Sequence, residues 1–186
     1  MSHLHDILEH NRNFVEKKEY ESYLTSKTPN KKIVIVTCMD TRLVELLPKA
    51  MNFKNGDVKI IKIAGGIVSH PFGSVMRSIL VALYELNADE VVVVGHWDCG
   101  MAALDGEHMI GEIKSRGISN DVLNTLEHSG IKLSSWLKGF NNIKEGVIST
   151  VELIKNHPLL PPNAPVHGMI IDPTTGELEL VVDGNK

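Results

Sequence analysis

An α/β fold, built on a mostly parallel β-sheet flanked by helices and closed by an antiparallel strand, is predicted by three features of this 186-residue chain. Short runs of β-branched residues recur along it: Ile33-Val34-Ile35-Val36, Val58 to Ile63, and Val91-Val92-Val93-Val94. Each is rich in β-branched residues and too short for a helix, so buried strands are the better reading. Helical patterns separate the runs, one through Leu43, Leu46, Leu47, Ala50 and Met51, the other through Val75, Ile79, Leu80, Leu83 and Leu86. Strand, helix, strand, helix, strand implies parallel pairing through right-handed crossovers. Finally, Asp172-Pro173-Thr174-Thr175-Gly176 is a turn between two extended runs, Val166 to Ile171 and Glu177 to Val182, which closes the sheet with a hairpin.

The first element reads as a helix over residues 3–25. Leu4, Ile7, Leu8, Asn11, Phe14 and Val15 follow three- and four-residue steps, and Glu9, Arg12, Glu16 and Lys17 fill the other face. Pro29 lacks an amide and drives Thr28 into extended geometry, so the helix ends before it. Residues 1–30 are thus a helical arm ahead of a single domain, 31–186. The arm's apolar stripe needs cover from its own domain or from a second subunit, and the sequence leaves both open. Between the third and fourth strands, residues 106–157 read as mainly helical, ending at His157-Pro158. No internal repeat and no low-complexity segment appears.

Lys and Arg number 19 against 23 Asp and Glu, a net charge of −4, and no basic run exceeds a pair such as Lys17-Lys18. That speaks against a nucleic-acid partner. No apolar run approaches a membrane span, and the first residues lack the apolar stretch of a signal peptide, so a cytoplasmic protein is expected. Two cysteines are too few for a secreted disulfide scaffold.

Both cysteines fall where chemistry is expected. In an open parallel sheet the site lies beyond the carboxyl ends of the strands, where strand order reverses. Cys38 follows Thr37 at the end of the first strand; His96 and Cys99 follow Gly95 at the end of the third. If those strands are neighbours, with the second beyond the first, all three side chains meet in one crevice. Two thiolates and an imidazole are a set that zinc favours, and three protein ligands leave a fourth position open. The bland alternative is two buried thiols and a satisfied core histidine. Asp40 and Arg42 follow Cys38 closely. The guanidinium keeps the carboxylate ionised, so Asp40 can fill the fourth position or accept a hydrogen bond from a bound water. Asp40 is also a suitable N-cap for a helix beginning at Thr41.

These residues resemble a known family. Cys38-Met39-Asp40-Thr41-Arg42 fits C-x-D-x-R, and His96-Trp97-Asp98-Cys99-Gly100 fits H-x-x-C-G. The two are similar, in order and separation, to the signatures of the β-class carbonic anhydrases, in their shorter microbial branch. Ala64-Gly65-Gly66 resembles that family's small-residue loop, and Gly176-Glu177-Leu178 its last turn; the likeness runs from about Lys31 to Val182. It implies one Zn²⁺ per chain on Cys38, His96 and Cys99, a catalytic Asp40–Arg42 dyad, Gly65 and Gly66 at the substrate pocket, and reversible hydration of carbon dioxide to bicarbonate. It also implies a homodimer, or a multiple of dimers, with the N-terminal helix packed on the partner. The chain departs from the family in carrying Lys62-Ile63 where Arg-Asn is common, and it has no Gln for the pocket.

Other readings predict other properties. A thiol redox protein would prefer C-x-x-C, which is absent, and would join Cys38 to Cys99. A structural-zinc module would close the site with Asp40 permanently. A hydrolase of carbonyl sulfide or carbon disulfide could share every ligand and differ only in its pocket walls. Gly65-Gly66 fits neither common nucleotide loop. His70 and His108 are conceivable proton shuttles, although each also reads as an ordinary surface histidine.

Overall fold

The computed structural model describes residues 3–186. Its five strands are β1 (Ile33–Cys38), β2 (Val58–Ile63), β3 (Glu90–His96), β4 (Val166–Ile171) and β5 (Leu178–Val182), in the order β2-β1-β3-β4-β5. All neighbouring pairs are parallel except β4–β5, which is antiparallel, with an irregularity at Gly168/Met169. The mostly parallel sheet with a closing antiparallel strand is therefore the fold that the runs of β-branched residues predict. Strand order reverses between β1 and β3, which places the switch point at Cys38 and His96.

Helices cover both faces. On one, Met76 and Ile79 of α3 (Ser74–Tyr84) and Val147, Val151 and Ile154 of α7 (Ile143–Lys155) pack on Val34, Val36, Val91 and Val93. On the other, Leu43 and Leu47 of α2 (Leu43–Ala50) pack on Ile35, Val92, Val94 and Ile171. Val34, Ile35, Val36, Val91, Val93 and Val94 have no exposed surface. Burial on both faces explains why β1 and β3 read as continuous apolar runs instead of alternating. The stretch between β3 and β4 holds α4 (Gly106–Ser115), α5 (Asn120–His128), the short α6 (Leu133–Leu137) and α7. Asp105, Ser119 and Asn142 cap α4, α5 and α7 by accepting first-turn amide hydrogens.

Two local expectations are corrected. The helix expected over 3–25 ends early: α1 spans His3–Glu16, Lys18 turns left-handed at φ 56°, and a 3₁₀ turn follows over Glu19–Tyr23. No residue of α1 is buried, so little packing rewards two further turns, and the Phe14 ring instead meets Tyr23 of the 3₁₀ turn. The helix after Cys38 starts at Leu43, not Thr41, and Asp40 is not its N-cap. Asp40 instead accepts the Arg42 amide at 2.8 Å, closing a turn before the helix begins.

Candidate metal centre

The strands deliver the three candidate ligands. Cys38 is the last residue of β1 and His96 the last of β3, and β1 and β3 pair directly. After His96, Trp97 donates its amide to the Ile171 carbonyl, and Asp98 adopts φ 55°. That reversal brings Cys99 back over the strand ends. The ligand atoms of Cys38, His96 and Cys99 lie within 4.8 Å of one another, and all three residues are buried.

The donor set fits a metal ion. Two sulfurs each about 2.3 Å from a tetrahedral ion stand about 3.8 Å apart; the Cys38 and Cys99 Sγ atoms are 3.9 Å apart. The His96 Nδ1–H donates to the Trp97 carbonyl at 2.8 Å, which fixes the tautomer and leaves Nε2 as a lone pair. Nε2 is buried and has no hydrogen-bond partner. Leaving such an acceptor unmade is costly unless something else takes the lone pair.

Electrostatics point the same way. Burial pushes the Cys38 thiol up, yet the facing His96 ring and the backbone amides of Asp40 and Gly65 outweigh it and bring the thiol down to about 7. Cys99 moves in the opposite direction, up to about 11, through burial and the adjacent Cys38. Two thiolates this close repel each other, so both ionise near neutral pH only with a cation to offset the repulsion.

Asp40 stands beside the triad, its Oδ2 3.8 Å from His96 Nε2. Arg42 grips it as a fork, Nε donating to Oδ1 at 3.0 Å and Nη2 to Oδ2 at 2.8 Å. The same guanidinium donates to the Asp98 carboxylate at 2.9 Å and to the Asp98 carbonyl at 3.1 Å. Arg42 is the main reason that Asp40 sits low, at about 2, and Asp40 followed by Asp98 raises Arg42 in turn. At neutral pH the pair is ionised.

A cleft of about 470 Å³ opens over these groups, walled by Met39, Thr41, Ala64, Gly65, Gly100, Met101 and Leu104 as well as Cys38, Asp40, Arg42 and Cys99. Gly65 lies on that wall at φ 70°. Gly66 does not. At φ 68° it packs behind the site, where an added Cβ would come within 3.3 Å of the Cys38 amide nitrogen. Its smallness therefore sets how closely the loop approaches the end of β1. His70 is exposed on a neighbouring groove of about 750 Å³ that shares Ala64 and Met101 with the cleft. His108 is exposed in the first turn of α4 and lies outside both.

Sequence reasoning passed over Asp98, although its place inside the H-x-x-C turn put it within reach of the same arginine. Met101 and Leu104 were also missed. They come from a 3₁₀ turn (Gly100–Ala103) and the residue after it, whose placement no local pattern announces.

An α/β sheet with a Cys₂His cluster at its switch point and an arginine-held aspartate beside it defines a class of candidate metalloenzymes. Comparison with known proteins narrows it. The family model for carbonic anhydrase matches residues 33–178. The "Putative carbonic anhydrase YtiB" of Bacillus subtilis (strain 168) is 58% identical over 184 residues, covering 99% of this chain and 98% of that one. A carbon disulfide hydrolase of Acidithiobacillus thiooxidans is 26% identical, covering 80% of this chain and 76% of its own. Among solved structures, the β-carbonic anhydrase isoform I of Trichomonas vaginalis superposes with a TM-score of 0.86 at 31% identity, covering 99% of this chain and all of that one. The chain belongs to the β-carbonic anhydrase family.

Proposed function

We propose that this protein is a zinc-dependent carbonic anhydrase that interconverts carbon dioxide and bicarbonate, with one Zn²⁺ per chain on Cys38, His96 and Cys99. The observation that carries the reading is the unpaired, buried His96 Nε2 facing two sulfurs at tetrahedral spacing, with the Asp40 carboxylate alongside. When bound, zinc supplies the Lewis acidity that brings a water towards deprotonation near neutral pH. The residues do the rest. Two thiolates cancel the charge of the dication, so orientation of the attacking water falls to Asp40, which accepts its hydrogen bond at Oδ2. Arg42 keeps that oxygen ionised and aimed. Met39, Ala64, Gly65, Met101 and Leu104 give the cleft apolar walls suited to a small, uncharged substrate. The proton released leaves through the cleft mouth, with His70 on the adjoining groove the better placed of the two histidines to receive it.

A second reading has specific support: relatives at 26% identity are named carbon disulfide hydrolases. Stopped-flow measurement of both substrates separates the two. Zinc-dependent hydration of carbon dioxide well above the buffer rate, with slower turnover of carbon disulfide, is expected; the reverse order overturns the assignment.

The proposal extends to assembly and place. Leu4, Ile7, Leu8 and Val15 of α1 are each more than half exposed, an apolar face that a second copy of the chain would cover in a homodimer. No helix among the described residues is long and apolar enough to cross a membrane, and we place the protein in the cytoplasm. Light scattering on protein truncated before residue 28 should show weakened association. A dimer as tight as the full chain's would remove the arm from the interface.

A further inference from the structure

Lys62 lies on β2 in register with Thr37, one position before the residue paired with Cys38. Its stem is half-buried, and its Nζ has neither solvent contact nor a hydrogen-bond partner. The other lysine of this strand behaves differently: the Lys59 Nζ donates to the Lys27 carbonyl. An ammonium is a compact, strongly hydrated charge with three donors, and holding it unpaired away from water is costly. Among the described residues no carboxylate forms an ion pair with it, and the nearby Asp40 is taken by Arg42. Burial lowers the pKa of Lys62, while the negative charges of Cys38 and Asp40 help it keep its proton. A fold that bears this cost gains something from a fixed cation beside the end of β1.

We propose that Lys62 is a positioning charge for the metal centre, weakening the hold on the dication and in exchange making the centre more electrophilic. The proposal rests on the zinc reading above and deepens it. In that reading two thiolates cancel the ion, Arg42 cancels Asp40, and the Asp98 carboxylate that also meets Arg42 stands in solvent, so the uncancelled buried charge near the cluster is the Lys62 ammonium. A positive charge there opposes the arrival of a second positive charge and favours electron-rich groups on the ion. Lys62→Met keeps the stem and removes the charge; Lys62→Arg keeps the charge.

The test measures the zinc dissociation constant by chelator competition, without turnover, and separately kcat/KM for carbon dioxide. At the effective dielectric of a protein interior, removing one nearby charge should make Lys62→Met hold zinc about tenfold more tightly and hydrate about tenfold more slowly. Its melting temperature should hold or rise, because a buried unpaired charge has gone. Lys62→Arg should return both quantities towards the wild type. Zinc affinity or hydration that does not move in Lys62→Met overturns the proposal, and so does a variant with weaker zinc binding and a lower melting temperature, the mark of a merely structural lysine. The wild type's own zinc content and hydration report on the underlying reading, so its failure is seen separately: a wild type that binds no zinc removes both.

Discussion

His96 and His167 occupy opposite ends of two paired central strands, and both are buried. At the amino-terminal end, the Gly184 amide donates to His167 Nδ1 at 3.1 Å, and Nε2–H faces the Glu90 carboxylate at 3.3 Å. Both nitrogens are used, and the ring pins the end of the chain to the sheet. At the carboxyl-terminal end, His96 spends Nδ1 on the Trp97 carbonyl and keeps a bare Nε2 among two sulfurs and a carboxylate. The same residue type, buried in both places, is complete in one and incomplete in the other.

Incompleteness alone is not the mark of a site. His157 is also buried with an unpaired Nε2, yet the one cluster of metal-ligating side chains among the described residues is Cys38, His96 and Cys99. What distinguishes His96 is an open valence surrounded by groups that can share one ion.

The comparison breaks most visibly if both histidines prove alike on removal. His96→Ala should take zinc from about one per chain to near none and hydration to the buffer background, with a loss of stability, since metal binding is also folding energy. Elemental analysis and stopped-flow rates check this; zinc retained in full would return His96 to the same class as His167.

Removing the group that aims Asp40 should cost less. Arg42→Ala should keep zinc and lose about 10–100-fold in kcat/KM, the range for residues that orient a metal site from behind. It also gives a pH signature in metal-free protein. Arg42 holds Asp40 at about 2, below its ordinary value near 4. A carboxylate lowered by folding stabilises the protein above its unfolded pKa and loses that contribution as pH falls through its folded one. The gap in melting temperature between wild type and Arg42→Ala should therefore be full above pH ~4.5 and close towards pH ~2. Because the pair is partly exposed, the gap is small. A gap independent of pH would mean that the arginine acts through something other than Asp40.

The smallest effect on function belongs to the complete histidine. His167→Ala strands the Gly184 amide and should cost about 1–3 kcal/mol of stability while leaving zinc content and kcat/KM unchanged. Denaturant unfolding beside a metal assay would show it, and loss of zinc would contradict the division between the two ends of the sheet.

β1 and β3 were legible because burial on both faces demands β-branched runs with little alternation, and the strand order that a meeting of the cysteines requires is the order observed. The meeting of Cys38, His96 and Cys99 follows from that order. The end of α1 was not legible: helix length is set by packing, α1 buries none of its residues, and the Phe14 ring meets Tyr23 of the following 3₁₀ turn instead of a core. Asp40 looked like a helix cap because its residue type suits one, and a through-space competitor, the Arg42 guanidinium, decided otherwise. Asp98 and Lys62 owe their places to the turn after β3 and to the register of β2, and neither is encoded by neighbours in sequence.

The central claim is that three strand-end side chains hold one catalytic zinc, and titrating zinc into stripped protein while following carbon dioxide hydration tests it most directly. Activity should rise in proportion to zinc, reach a plateau at one ion per chain in the wild type, and stay at background in Cys38→Ala and His96→Ala. Hydration that appears without zinc, or that survives in both variants at full rate, would contradict the account.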